Sequence, residues 1–197
     1  CRYAAIQAHW EDVKKYAATV VPLDFDTREY LALAEYSTGN YAEASSLLKG
    51  AYTNLHALSF ARQQDFKNAA LIYAGIEEAR GLTDEERLNY AKVLLYSGRY
   101  RESQIESARC SLNEAKYVLG LAQFNTWSWP YAEESFSSYL NSSAKKDEKS
   151  VSYAQFYLGY AQYRQGKSKK AYAALSDFVK KYPGHELFWN AQMAAAN

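Results

Sequence analysis

Small residues recur along the chain in pairs whose members are 12 positions apart. The first member of each pair lies in an apolar, aromatic-rich stretch with helical periodicity, and the second follows a short turn into another such stretch. A large side chain at either position forces two packed helices apart, so the pairing predicts helical hairpins with closely approaching backbones. The pairs are Ala32/Ala44, Ala57/Ala69, Ala91/Ser103, Gly120/Ala132 and Gly159/Ala171.

The pattern predicts five hairpins, each made of a helix A and a helix B joined by a turn. Gly39-Asn40 joins the first two helices and suits left-handed backbone geometry. Three A helices begin with a capping box, in which a cap oxygen and a glutamate three residues later satisfy free amides: Asp26/Glu29, Thr83/Glu86 and Ser111/Glu114. The hairpins are expected at residues 27–51, 53–79, 84–110, 112–140 and 151–181.

Both ends of the chain carry incomplete hairpins. Cys1 and Val13 repeat the 12-residue spacing, so residues 1–21 are interpreted as the end of one A helix followed by a B helix. Residues 185–197 have one apolar face and predict a terminal helix, either a cap or the first helix of a further hairpin. We expect residues 1–197 to form a single superhelix that is part of a longer parent chain.

The spacing between hairpins varies, although the spacing within each hairpin does not. Successive hairpins are 25, 34, 29 and 39 residues apart, and the shortest step leaves almost no loop near residues 50–54. This junction is therefore either unusually tight or lacks residues of the parent chain. We expect the second, both there and near residues 109–112.

The last hairpin resembles the tetratricopeptide repeat. A leucine–glycine pair is followed by a turn glycine, a small residue in helix B, and then an aromatic residue and Tyr-Pro. The matching positions are Leu158, Gly159, Gly166, Ala171, Phe178 and Pro183 in the last hairpin, Ala91, Gly98, Tyr100 and Ser103 in the third, and Leu31, Ala32, Gly39, Tyr41 and Ala44 in the first. The resemblance implies an all-α, right-handed α-solenoid whose A helices line a concave groove.

One feature extends the resemblance to a narrower group of proteins, and another departs from the family pattern. Residues 178–183, ahead of a new helix, are similar to repeats in bacterial cell-envelope proteins of the outer-membrane-assembly and Tol–Pal-associated kind, which favours a periplasmic or envelope location over the cytoplasm. The ring that the family places four residues before the turn is replaced by Glu35, Gln123 and Gln162. An aromatic residue comes one position later in each case, which rotates it by about 100° towards the groove.

Charge and composition exclude several functional classes. The chain has 23 Lys+Arg and 22 Asp+Glu, so its overall charge does not favour nucleic acid as a partner. Residues 145–197 are basic, which is typical of a solvated lysine-rich face or of a docking patch for an acidic partner.

No apolar run is long enough to span a membrane. Two cysteines are too few for a disulfide framework; Cys1 is either a lipid-bearing first residue of a lipoprotein or simply where the fragment begins.

No motif in the sequence indicates an enzyme, a metal site or a cofactor. His9, His56 and His185 are far apart and lack partners at metal-ligand spacing, so we interpret them as surface or packing residues. Acidic pairs such as Glu133/Glu134 are adjacent in sequence and point in different directions on a helix. We therefore predict a non-catalytic protein.

The best functional candidate is an aromatic stripe on the last two A helices. It follows helical spacing, so it can face either a groove or the core. In a groove it would bind an apolar or aromatic peptide, with Arg164 and Asn125 beside it to hold a carboxylate or main-chain groups. The stripe consists of Tyr153, Phe156, Tyr160 and Tyr163 in the fifth hairpin and Tyr117, Leu121 and Phe124 in the fourth.

The predicted function is therefore that of a protein–protein interaction scaffold with a protein or peptide partner. The alternative is a structural subunit of a large bacterial envelope or motility assembly, in which the groove is filled by the chain's own terminal helix or by a neighbouring repeat.

Overall fold

A computed structural model describes residues 1–196 of the chain, except for the side chain of Tyr3. Within that range the regular elements are thirteen α-helices, which form two compact units, residues 1–93 and residues 94 onward. The first unit contains α1 (Arg2–Ile6), α2 (Trp10–Ala17), α3 (Phe25–Ser37), α4 (Tyr41–Leu47), α5 (Asn54–Arg62) and α6 (Phe66–Arg80). Helix α7 (Asp84–Tyr96) begins in the first unit and ends in the second. The second continues with α8 (Tyr100–Arg109), α9 (Asn113–Asn125), α10 (Trp129–Asn141), α11 (Glu148–Arg164), α12 (Ser168–Lys181) and α13 (Phe188–Ala196).

The same turn joins helix A to helix B in every hairpin. One residue has a left-handed backbone; its amide donates to the carbonyl three residues back, and the next amide donates to the carbonyl five residues back. These are the two hydrogen bonds of a Schellman motif, which satisfies carbonyls that the end of a helix leaves free. The left-handed residues are Ala8, Gly39, Gln64, Gly98, Trp127 and Gly166, with φ between 54° and 89°.

The small residues spaced 12 apart are all buried within their own compact units. At Gly120 and Gly159 the reason is visible, because a β-carbon would lie 2.7 Å from the Phe136 ring and 2.8 Å from Leu175. The prediction of close backbone approach is confirmed at both glycines.

The starts of the A helices agree only partly with the sequence-based prediction. The capping box at Thr83 is confirmed: Thr83 Oγ1 accepts from the Glu86 amide at 3.3 Å, and the Glu86 carboxylate accepts from the Thr83 amide at 3.0 Å. The box at Asp26 is wrong. Asp24 caps α3 instead, accepting from the Thr27 amide at 2.6 Å, because the helix begins at Phe25. Helix α9 begins after Leu112, one residue later than a Ser111 cap requires.

The junction near residues 50–54 is tight in the structure. The Ala51 amide donates to the Leu48 carbonyl at 2.9 Å, and Thr53 caps α5 immediately afterwards. That parent-chain residues are missing here stays a prediction. At the other end, α13 begins three residues later than expected, and residue 197 of the predicted terminal helix lies outside the described residues.

Two apolar clusters form the core of the last hairpins. Phe136 and Tyr139 of α10 pack with Ala154 and Ala161 of α11. Phe156 of α11 packs with two α12 residues and with the buried alanines of α13: Leu175, Phe178, Ala191 and Ala194. Helix α11 therefore has core contacts on two sides, and a third side remains for the aromatic residues of the predicted stripe.

Candidate binding surface on helices α9 and α11

Helices α9 and α11 are the A helices of the fourth and fifth hairpins, and they contact each other directly. Aromatic rings bridge them: the centroid of Phe124 lies 4.8 Å from that of Tyr157 and 5.8 Å from that of Tyr160. Tyr160 continues to Tyr163 at 5.7 Å, and Tyr157 continues to Tyr153 at 6.4 Å. We call the half-buried side chains of these two helices the aromatic surface: Tyr117, Leu121, Phe124, Tyr153, Tyr157, Tyr160 and Tyr163.

Phe156 does not belong to this surface, which corrects the sequence-based prediction. Its side chain is only 4% exposed, and its ring lies 5.7 Å from that of Phe178 in the core beside α12 and α13. The neighbouring Tyr157, which the stripe omitted, takes its place. Adjacent residues differ by about 100° around a helix, so a shift of one position moves a ring from the core to the surface.

The deeper members of the aromatic surface are held by the core cluster of α10. Tyr117 lies 5.4 Å from Tyr139 and 6.2 Å from Phe136, and burial raises the pKa of its hydroxyl. Burial likewise raises the pKa of the Tyr157 hydroxyl. Leu121 packs against the same cluster. These residues form a fixed apolar base, whereas Tyr160 and Tyr163 lie further along α11.

Hydrogen bonds between helices explain why the ring is displaced by one position. Where the tetratricopeptide pattern has an aromatic residue, Gln123 Oε1 accepts from Ser135 at 2.7 Å, and Gln162 donates to Glu133 at 3.2 Å. Glu35 of the first compact unit pairs in the same way with Lys14, at 3.1 Å. The position is thus occupied by a polar link between helices. In the fourth and fifth hairpins the aromatic residue that follows it, Phe124 or Tyr163, lies on the aromatic surface.

Trp129 supports the end of the surface next to the hairpin turns. Its ring lies 4.9 Å from Phe124 and 4.9 Å from the guanidinium carbon of Arg164. A guanidinium over an aromatic face is stabilised by the ring quadrupole. Arg164 is exposed and forms no ion pair among the described residues, so its guanidinium is not committed to a carboxylate of this part of the chain. Asn125 is also exposed, but its amide nitrogen donates to the Leu121 carbonyl at 2.8 Å, which leaves its oxygen for other contacts.

A polar cleft of about 650 Å³ adjoins the other end of the surface. Tyr153 forms one wall and donates its hydroxyl hydrogen to Glu186 Oε1 at 2.5 Å. This hydrogen bond to a carboxylate, with some burial, raises the pKa of Tyr153 to about 12. Lys149, Tyr182 and His185 also line the cleft. Sequence reasoning did not connect Tyr182, His185 and Glu186 with Tyr153, because they lie about 30 positions away.

The cleft contains a serine–histidine pair whose geometry does not suit a nucleophile and its base. His185 Nδ1 accepts from the Leu187 amide at 3.1 Å, so in the neutral ring the hydrogen is on Nε2. That nitrogen lies 3.1 Å from Ser152 Oγ, which in turn donates to the Lys149 carbonyl at 2.7 Å. A base that activates a serine must accept its hydrogen. Here the imidazole donates instead, so the pair serves to hold the loop before α13.

Among the described residues, no three His, Cys, Asp or Glu side chains are grouped so that they could hold a metal ion. None of the described helices has both the length and the apolar character that crossing a bilayer requires.

One family model matches the sequence. Residues 153–185, which include α11 from Tyr153 onward and all of α12, match a tetratricopeptide repeat. The matched segment contains the aromatic half of α11 and ends at His185 of the cleft. No curated protein sequence matches the chain.

Several solved structures share the fold. YrrB, described as a tetratricopeptide-repeat protein with an unusual peptide-binding site, aligns with a TM-score of 0.75 at 15% identity, over 93% of this chain and 99% of its own. MamA from Desulfovibrio magneticus RS-1 aligns with a TM-score of 0.70 at 15% identity, over 82% of this chain and 96% of its own. BtubC from P. vanneervenii aligns with a TM-score of 0.57 at 17% identity, over 93% and 89% respectively.

The sequence match and the structural matches agree with the hairpin geometry described above. The predicted fold class, an all-α solenoid of tetratricopeptide-like hairpins with partial hairpins at the ends, is confirmed. The chain therefore has the fold of tetratricopeptide-repeat proteins, and residues 153–185 match the repeat in sequence.

Proposed function

We propose that this chain is a non-catalytic interaction module that binds a peptide segment of a protein partner on the aromatic surface. The observation that carries the proposal is the row of half-buried rings that joins α9 to α11 through Phe124, Tyr157 and Tyr160. Rings in this position offer apolar area without the entropy cost of long flexible side chains, and tyrosine hydroxyls can pair with a peptide backbone.

The ends of the surface define where polar groups of the peptide would lie. Arg164, held over Trp129, suits a carboxylate or a main-chain carbonyl. Asn125 Oδ1 can accept from a main-chain amide nearby. The structural neighbour YrrB is described as having a peptide-binding site, which supports the use of this fold for peptide recognition. Burial of a few such rings is consistent with micromolar affinity, about 8 kcal/mol.

The test begins with peptides selected on the purified chain from a random display library, whose affinities are then measured by isothermal titration calorimetry. The double variant Tyr160→Ala/Tyr163→Ala should weaken binding by about tenfold or more, because two ring contacts are lost. Tyr131 and Tyr172 are exposed tyrosines on α10 and α12. The double variant Tyr131→Ala/Tyr172→Ala is therefore the matched control and should bind as the parent does.

Folding must be separated from binding, because Tyr160 also contacts Phe156 at 5.7 Å. Circular dichroism should show unchanged helicity in both double variants. The single variant Tyr163→Ser gives a milder version of the test, because the parent Tyr163 ring contacts only Tyr160 among the described rings. Equal affinity of the Tyr160/Tyr163 variant and the parent would refute the proposal.

A structural subunit of a larger assembly is the second candidate function. It is favoured by α13, whose Trp189 and Met193 are about 70% exposed, a large apolar area for one short helix. Under this alternative, no library peptide would bind, and concentration-dependent self-association would depend on Trp189 rather than on Tyr160.

A further inference from the structure

The first compact unit contains a cleft of about 510 Å³ that takes no part in the aromatic surface. It lies between α4, the junction before α5, and one face of α6. Its walls are mainly apolar, and a few polar groups converge on it, which is the usual character of a small-ligand or side-chain pocket. Its lining includes Lys49, Tyr52, His56, Phe60, Leu71 and Ile72.

His56 supplies a polar atom with a defined role at the wall of the cleft. The residue is only 4% exposed and still lines the cleft. Its Nδ1 lies 2.7 Å from the Ala51 carbonyl oxygen, which can only accept, so Nδ1 carries the hydrogen. In the neutral ring Nε2 is then an acceptor, and it has no hydrogen-bond partner among the described residues. Nε2 is not sealed from solvent, so a donor on a ligand in the cleft can replace the water that would otherwise bind it.

The walls around His56 suit a flat ring. Phe60 lies 5.0 Å from the imidazole. The Tyr52 ring packs closely against α6 at Gly75, where a β-carbon would come within 2.3 Å of it. Despite this close contact, Tyr52 is 58% exposed, and Leu71, which also lines the cleft, is 59% exposed. These apolar surfaces gain free energy if a further ring covers them.

Charge narrows the class of ligand. Lys49 is the one charged residue that lines the cleft in the described part of the chain, and its ammonium group has no described partner. A cationic ligand is therefore disfavoured, and an anionic group beside the ring is favoured.

We propose that this cleft binds an aromatic ring that carries a hydrogen-bond donor, such as an indole or a phenol, with an anionic group placed to reach Lys49. The ring inserts between Tyr52 and Phe60, its N–H or O–H donates to His56 Nε2, and the anion pairs with the ammonium group. The same chemistry is offered by a tryptophan or tyrosine side chain near an acidic residue of a peptide and by a free aromatic acid.

The test compares pairs of probes that differ by one feature, with the intact chain followed by protein-observed NMR. Indole should bind and shift the amides of residues 45–75, and 1-methylindole, which has no N–H, should bind about tenfold more weakly. Indole-3-propionate should bind several-fold more tightly than its neutral amide. A peptide with the sequence Ala-Trp-Asp, blocked at both ends, shows whether a polypeptide is the better source of the ring.

Variants of the chain assign each contact. His56→Asn keeps an N–H for the Ala51 carbonyl, and its shorter side chain places no acceptor at the position of Nε2, so it should abolish the preference for indole over 1-methylindole. Lys49→Ala should remove the preference for indole-3-propionate, and Lys15→Ala, at an exposed lysine of α2, should not. Gly75→Ala should weaken all probes by displacing the Tyr52 ring. Equal binding of indole and 1-methylindole to the parent chain, or no shift at millimolar indole, would overturn the proposal.

Discussion

Gly159 of α11 lies directly against Leu175 of α12. A β-carbon on Gly159 would be 2.8 Å from Leu175 Cγ and 3.2 Å from the Ala174 β-carbon, and Leu175 is fully buried. The two helices of the fifth hairpin therefore meet at a point where even one methyl group has no room.

In Gly159→Ala, overpacking of the added methyl group against Leu175 costs about 1–3 kcal/mol. The intrinsic helix preference of alanine over glycine, about 1 kcal/mol, works in the opposite direction, so the free energy of unfolding should fall by a net amount of up to about 2 kcal/mol. Urea unfolding followed by circular dichroism measures the difference. Gly184→Ala is the control, since nothing lies within 4 Å of a β-carbon there. A loss at Gly184 equal to that at Gly159 would contradict this explanation.

Substitutions in the left-handed turns should change the free energy of unfolding in opposite directions at glycine and at non-glycine positions. Gln64 has φ 61° and Gly166 has φ 71° in equivalent turns. Gln64→Gly relieves a backbone cost of about 1–2 kcal/mol. The added flexibility of the unfolded chain offsets part of this gain, so the free energy of unfolding should rise by up to about 1 kcal/mol. Gly166→Ala should lower it by about 1 kcal/mol. Chemical denaturation of both variants checks the signs; the same sign for both would be inconsistent with left-handed strain.

Glu86 should make the first compact unit sensitive to acid. Its carboxylate accepts from Arg80 at 2.5 Å and from the Thr83 amide at 3.0 Å. The Arg80 hydrogen bond, opposed by burial and assisted by Thr83, holds the pKa of Glu86 below its usual range. The stabilisation is therefore complete above the ordinary glutamate pKa of about 4.3 and is lost as the pH falls through the lower pKa of the folded state.

Glu86→Gln should cost about 1–3 kcal/mol at neutral pH, and the difference from the parent should shrink below about pH 4. Thermal melts across this pH range provide the measurement. Glu85→Gln, at the exposed neighbouring position, should change stability little at any pH. A pH-independent loss in the Glu86 variant would show that packing, and not charge, is responsible.

We expect the alkaline titration of Tyr153 to report on its hydrogen bond to Glu186 in the cleft. The pKa of Tyr153 is about 12, chiefly because of its hydrogen bond to Glu186. Glu186→Gln should move this pKa towards the ordinary tyrosine value of about 10, and Glu148→Gln, which removes another carboxylate of the cleft, should not. Titration of the tyrosine ζ-carbon by NMR follows the change.

The same pair has a consequence for stability. Because the pKa of Tyr153 is raised on folding, its contribution is present below about pH 10 and is lost as the pH rises through about 12. Tyr153→Phe should therefore reduce the slope of stability against pH in that window. An unchanged slope would mean that the hydrogen bond to Glu186 does not persist in solution.

The hairpins were predictable, and the membership of the binding surface was only partly so. Helical spacing placed Phe156 and Tyr160 in one stripe, yet Phe156 is buried beside Phe178 and Tyr157 lies at the surface. Which of two adjacent rings faces the core depends on where α12 and α13 pack. That position is decided by residues 20 or more places away, so spacing within α11 alone cannot reveal it.

The amino-acid sequence by itself determined the hairpin. Small residues 12 apart, left-handed turns such as Gly39 and the capping box at Thr83 act through contacts within about one hairpin, so local sequence contains the whole signal. Only the tertiary structure decided how the hairpins present their chemistry. Phe124 meets Tyr157, and Tyr153 meets Glu186, because side chains from different helices converge after packing. Such contacts between helices depend on the register of one helix against the next, which no local sequence pattern encodes.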